Sequence, residues 1–180
     1  MRDGDRPGRP GRGREGGTGR RRAARFLPAA AVLWLLFLPE IPAQEPPVPP
    51  PGSKEKCPVC GMFVAKFPDF FSAAVFADGS RLWFDGAKDL FRFLHDPGRY
   101  DPRRKREDVA RVLVKEYYDL SLVDGKRAFY VSGSNVFGPM GNELIPFRTE
   151  SEAREFMVDH AGRFLYRFDE VTPLVLQGLD

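Results

Sequence analysis

The sequence predicts an α+β fold: two similar β-β-α-β units in one compact domain, preceded by an export signal and a Pro-rich spacer. Three observations carry this expectation. The segments WFDGAKDLFRFL (83–94) and PFRTESEAREFM (146–157) are alike in kind: an aromatic, a capping residue, then an amphipathic helix. Each lies in a stretch that begins and ends with strand-like runs. The 180 residues include 16 Phe and five Tyr, ample for one core at a length that favours a single domain.

The elements follow in chain order. Residues 2–22 are rich in Gly, Arg and Pro and cannot build a core. FLPAAAVLWLLFL (Phe26–Leu38) is apolar and uncharged, the length of a signal-peptide core and short of the roughly 20 residues that span a bilayer. Ala43 offers a small residue for cleavage. Residues 1–43 therefore read as an export signal, the alternative being an uncleaved leader that tethers the chain to a membrane. No cysteine stands near the cleavage point, so lipid attachment there is not expected. Residues 44–55, with the run QEPPVPPPGS, read as a polyproline-like spacer.

The charge is uneven. Residues 1–43 hold nine of the 28 basic residues and four of the 25 acidic ones, leaving 19 and 21 in 44–180, a net charge of −2. The basic character belongs to the leader. The rest shows no basic face with interleaved aromatics, so no nucleic-acid partner is expected.

The first unit covers 56–119. Phe70–Phe76 reads as a strand, Asp78-Gly79 as a hairpin turn and Arg81–Phe84 as a second strand. Asp85 reads as the cap of a helix over Ala87–Asp96, with Leu90, Phe91 and Leu94 on its inner face. A polar loop through Arg99–Asp108 leads to a strand over Ala110–Asp119. The second unit covers 120–175. It has a strand over Lys126–Ser132, a glycine-rich loop over Gly133–Gly141 and a short strand over Leu144–Phe147. Thr149 or Ser151 caps a helix over Glu152–His160, with Ala153, Phe156 and Met157 inward. Gly162 ends it before a strand over Arg163–Val171.

The chemistry centres on KCPVCGMFV (56–64), which holds both cysteines, Cys57 and Cys60, and Met62 two places on. A structural disulfide would close a loop too short to constrain much chain. A zinc site needs four ligands, and the two histidines, His95 and His160, have no close histidine partner. A redox pair normally opens a helix, whereas Pro58, Gly61 and Pro68 break any helical pattern here. Thiolate and thioether are soft ligands that select Cu(I), and Gly61 lets Cys60 and Met62 turn to one side. Met140, in the glycine-flanked loop GPMG (138–141), has little local apolar surface to pack against. His95 and His160 read as helix-end residues facing the last carbonyls. Asp85, Asp89 and Asp119 read as caps or surface acids. No nucleophile–base arrangement is visible, so no catalytic residue is assigned and the chain reads as a non-enzyme.

CPVCGMFV (57–64), followed by AFYVSGS (128–134) and PMGNELIPF (139–147), is similar to the nitrous-oxide-reductase accessory protein family, NosL, over residues 54–175. The resemblance implies an extracytoplasmic copper chaperone of two β-β-α-β halves that binds one Cu(I) and supplies it for the reductase's metal centres. It implies Cys60 and Met62 as the ligands of a C-x-M motif, and Met140 as a further ligand. It implies as partner a copper-receiving reductase or its maturation transporter. Two features depart from the family: many members carry a lipid-bearing cysteine after the signal, and Cys57 is an additional thiol. Cys57 is either a fourth candidate ligand or the disulfide partner of Cys60. A homodimer giving two ligands from each chain is one way to complete a sparse site. The alternative activity is an extracytoplasmic thiol–disulfide oxidoreductase using Cys57 and Cys60.

Overall fold

The computed structural model describes residues 48–180, so the predicted export signal lies outside the described residues. β1 (Ser72–Phe76) and β2 (Arg81–Phe84) form an antiparallel hairpin. Its turn places Gly79 at φ +80°, where a side chain would be strained. β3 (Val109–Lys115) pairs with the other side of β1, and β4 (Leu122–Asp124) with β3, giving the order β2-β1-β3-β4. α1 (Ala87–His95) links β2 towards β3 and buries Leu90, Phe91, Phe93 and Leu94. A single turn, α2 (Pro97–Tyr100), follows it.

The second half repeats the plan. β5 (Phe129–Ser132), β6 (Ile145–Phe147), α3 (Glu150–Asp159) and β7 (Phe164–Arg167) form a three-stranded sheet of order β6-β5-β7 with its helix. In both sheets the first strand of the unit lies between the other two. Thr149, not Ser151, caps α3: its hydroxyl accepts from Glu152 N at 3.2 Å while Glu152 Oε2 accepts from Thr149 N at 2.8 Å. A short helix, α4 (Pro173–Gln177), ends the chain.

Alternation along β5 joins the halves. Tyr130 points into the first core, where its ring meets Phe91 edge-on at 5.0 Å. Val131, one residue on, points into a second core with Ile145, Phe147, Ala153 and Phe156. The second sheet is therefore covered by first-half residues on one face and by α3 on the other. Among the described residues no helix is long and apolar enough to cross a membrane.

Several boundaries differ from expectation, each for a local reason. β1 starts at Ser72 because Phe70 N donates to Phe67 O in a turn that contains Pro68. β3 stops at Lys115 because the buried carboxylate of Glu116 accepts from Tyr118 N and Asp119 N at 2.9 and 2.8 Å and folds the chain back into β4. β5 starts at Phe129 because Arg127 N and Ala128 N bond to Asp124 O. Val48, assigned to the spacer by sequence, packs against the first core.

Candidate metal centre

The cysteine loop is closed by its own backbone. Cys57 N donates to Met62 O, and Gly61 N to Cys57 O, both at 2.9 Å. Gly61 sits at φ +80°, the left-handed conformation that this reversal needs. The loop delivers both thiols to the start of α1. Cys57 Sγ donates to Asp89 Oδ2 at 3.4 Å, and Cys60 Sγ to Asp85 Oδ1 at 3.3 Å. One ligand atom from each of these four residues lies within 4.8 Å of the others. Both cysteines are free thiols; Cys57 is buried and Cys60 half-buried.

Two of the four residues correct the sequence reading. Asp85 and Asp89, expected as a cap and a surface acid, are 1% and 2% exposed. Asp85 does not cap α1. The N-cap is Gly86, which has no side chain to offer, and Asp85 turns to the thiols instead. Asp89 is held by Arg92 at 2.9 Å, and Arg92 also pairs with Asp180. Asp85 Oδ2 is buried with no hydrogen-bond partner, an arrangement that favours a bound cation. The missed signal was the spacing of two acids, Asp85 and Asp89, about one helical turn apart at a helix entrance. Asp119 is a surface acid as expected, paired with Arg148 at 2.8 Å.

Two thiols and two carboxyls in one buried spot resist ionising together. Burial pushes the Cys60 thiol up to about 12, with the Asp85 hydrogen bond and charge adding to it. Burial likewise raises Cys57, and Asp85 and Asp89 add to it. Burial, then the neighbouring Asp89 charge, raises Asp85. At neutral pH the thiols keep their protons, and a cation taken up here would displace them.

The methionines occupy different places. Met62 is half-buried in the cysteine loop itself. Met140 is 44% exposed, at the tip of a tight loop closed by reciprocal bonds between Gly138 and Gly141 at 2.8 and 3.2 Å. That loop is brought to the first turn of α1, since Met140 O accepts from Lys88 Nζ at 2.9 Å. The buried carboxylate of Glu143, just after the loop, accepts from Lys88 N at 2.6 Å and from Leu144 N at 2.9 Å. Glu143 thereby satisfies a helix-start donor that Gly86 leaves free. The histidines stay outside the cluster: His95 Nε2 is 2.7 Å from Val171 O, and His160 Nδ1 is 3.2 Å from Asn135 Oδ1.

Fold and site together define a small α+β domain with a thiol–carboxylate cluster at the start of one helix. The NosL family profile matches residues 47–176, and the chain belongs to that family. The copper-binding lipoprotein NosL of Stutzerimonas stutzeri is 32% identical over 124 residues, which are 68% of this chain and 65% of that protein. The chain thus spans just under two thirds of that relative's length. The crystal structure of the copper chaperone NosL from Shewanella denitrificans aligns with a TM-score of 0.60 at 28% identity, over 72% of this chain and 99% of that one.

Proposed function

We propose that the protein is an extracytoplasmic Cu(I) carrier. It holds one copper ion through sulfur and passes it to a copper-receiving reductase or its maturation transporter, with nitrous oxide reductase as the final recipient. Cys60 and Met62 are the principal ligands, joined by Cys57 and Met140. The observation that carries this reading is the convergence of Cys57, Cys60, Asp85 and Asp89 within 4.8 Å, with Met62 in the same loop. Soft sulfur donors favour Cu(I) over hard divalent cations. The half-exposed Cys60 keeps one side of the site open, as a carrier needs for uptake and release. The two NosL relatives, a copper-binding lipoprotein and a copper chaperone, support the choice of metal.

A dithiol oxidoreductase needs a thiol that ionises near neutrality. Here burial and Asp85 drive Cys60 in the opposite direction, which favours the carrier. Export through residues 1–43 places the protein outside the cytoplasm, in keeping with the lipoprotein nature of the Stutzerimonas relative.

The test is a Cu(I) titration of the reduced protein against a chromophoric chelator, run with Met62→Leu, Cys60→Ser and the double variant Cys57→Ser with Cys60→Ser. Binding near one copper per chain, or one per dimer, weakened in both single variants, is expected. Binding that ignores Met62 and disappears only when both cysteines are lost would leave a plain dithiol in place of the carrier site.

A further inference from the structure

We infer that Lys88 and Glu143 are positioning residues: they clamp the Met140 loop to the helix turn that carries the cysteine cluster, and so couple the two halves of the chain in copper binding. This rests on the carrier reading above, with Met140 as a ligand.

Lys88 is 2% exposed, although burying an ammonium group is expensive unless it is partnered. Its Nζ donates to Met140 O at 2.9 Å and lies 3.5 Å from Leu179 O. Its backbone N–H donates to Glu143 Oε1 at 2.6 Å. One residue therefore binds two segments distant in sequence, the 140–143 stretch and the chain at Leu179. A leucine would fill this space without a charge to desolvate. The ammonium adds direction, because it holds one particular carbonyl, that of the residue whose thioether is at issue.

Glu143 completes the clamp. Its carboxylate fills the room left by two glycines. A Cβ on Gly86 would lie 2.2 Å from Glu143 Oε2, and one on Gly138 2.9 Å from Glu143 Cγ and Oε2. The loop between is rigid in itself, since Gly138 and Gly141 bond to each other and Gly141 sits at φ +84°. Its placement therefore depends on the clamp. The cysteine cluster hangs from the same turn, because Asp85 and Asp89 flank Lys88 in sequence and receive the two thiol hydrogen bonds.

The test is a double-mutant cycle in the full chain, with Lys88→Met, Met140→Leu and the pair, read by Cu(I) affinity. Each single change is expected to weaken Cu(I) binding about tenfold or more, and the pair to be no weaker than the worse single within about twofold. Losses that multiply in the pair, or wild-type affinity in either single variant, would overturn the coupling. Hydrogen exchange supplies a readout that needs no metal. The Gly138 and Gly141 amides should exchange at least about tenfold faster in Lys88→Met, with β1 and β3 amides unchanged. Unchanged loop exchange would overturn the clamp. If the wild-type chain fails to bind Cu(I), the carrier reading falls while the exchange measurement still decides the clamp. If Lys88→Met does not fold, Lys88→Arg keeps the charge but changes donor geometry, and both readouts apply to it.

Discussion

Cys60 Sγ donates to Asp85 Oδ1 at 3.3 Å, so a thiol and a buried carboxyl with one unpartnered oxygen share the entrance of α1. The pair keeps the site protonated until a cation arrives. Asp85 discourages the thiolate by its charge, and the thiol proton stabilises the carboxylate.

Replacing Asp85 isolates that effect. In Asp85→Asn the like charge beside the thiol is gone, so Cys60 should ionise more readily. Alkylation of Cys60 by iodoacetamide at pH 8 is expected to speed up by about tenfold for each pKa unit by which the thiol falls. An unchanged rate would assign the raised value to burial alone.

Copper uptake should depend on pH in a way that counts thiols. Cys60 lies at about 12 and Cys57 is also raised, so both are protonated from pH 6 to 8 and each thiolate formed on copper releases one proton. The logarithm of apparent Cu(I) affinity should rise by about two per pH unit, after correction for the chelator's own protonation, and by about one in Cys57→Ser. A slope of one in the wild-type chain would remove Cys57 from the ligand set, whereas a flat profile would remove both thiolates.

Glu143 gives stability its own pH dependence. Burial raises its carboxyl from 4.5 to about 7, although two backbone N–H bonds and the Lys88 charge oppose the shift. The folded state therefore keeps a proton that the unfolded chain releases. The stability from this group is complete below pH 4.5 and is lost as pH rises through about 7. The loss is on the order of 3 kcal/mol across that window. Urea unfolding at pH 5 and pH 8 should show it, and Glu143→Gln should remove that part of the fall. A fall of the same size in the variant would assign it to other groups.

Gly86 and Gly98 should respond oppositely to alanine. At Gly86 the new methyl meets Oε2 of the Glu143 carboxylate, whose other oxygen, Oε1, is held by two backbone N–H bonds, so Gly86→Ala should destabilise by about 2–3 kcal/mol. At Gly98, in α2, a Cβ meets nothing within 4 Å, so the change should be neutral or stabilising by about 0.5–1 kcal/mol. Thermal or urea midpoints decide both, and an unaffected Gly86→Ala would show that Glu143 can move aside.

The repeat of strand, strand, helix and strand was legible because it is written in local patterns. Leu90, Phe91 and Leu94 recur at helical spacing, Thr149 and Glu152 stand at capping-box spacing, and Asp78-Gly79 marks a hairpin. Strand ends were less legible, because Glu116 and Asp124 terminate β3 and delay β5 through turn hydrogen bonds that hydrophobic pattern does not encode.

The sequence by itself determined which groups could bind a soft metal: two thiols and a thioether within six residues, Cys57 to Met62. Tertiary structure alone decided what stands opposite them. Asp85 and Asp89 look like ordinary acids of a helix start, and only the folding of the cysteine loop onto α1 makes them buried neighbours of the thiols. The same holds for Lys88 and Glu143, separated by 55 residues and joined at 2.6 Å. Periodicity reports the face on which a residue lies, but the partner across that face is set by long-range packing, which short-range pattern does not contain.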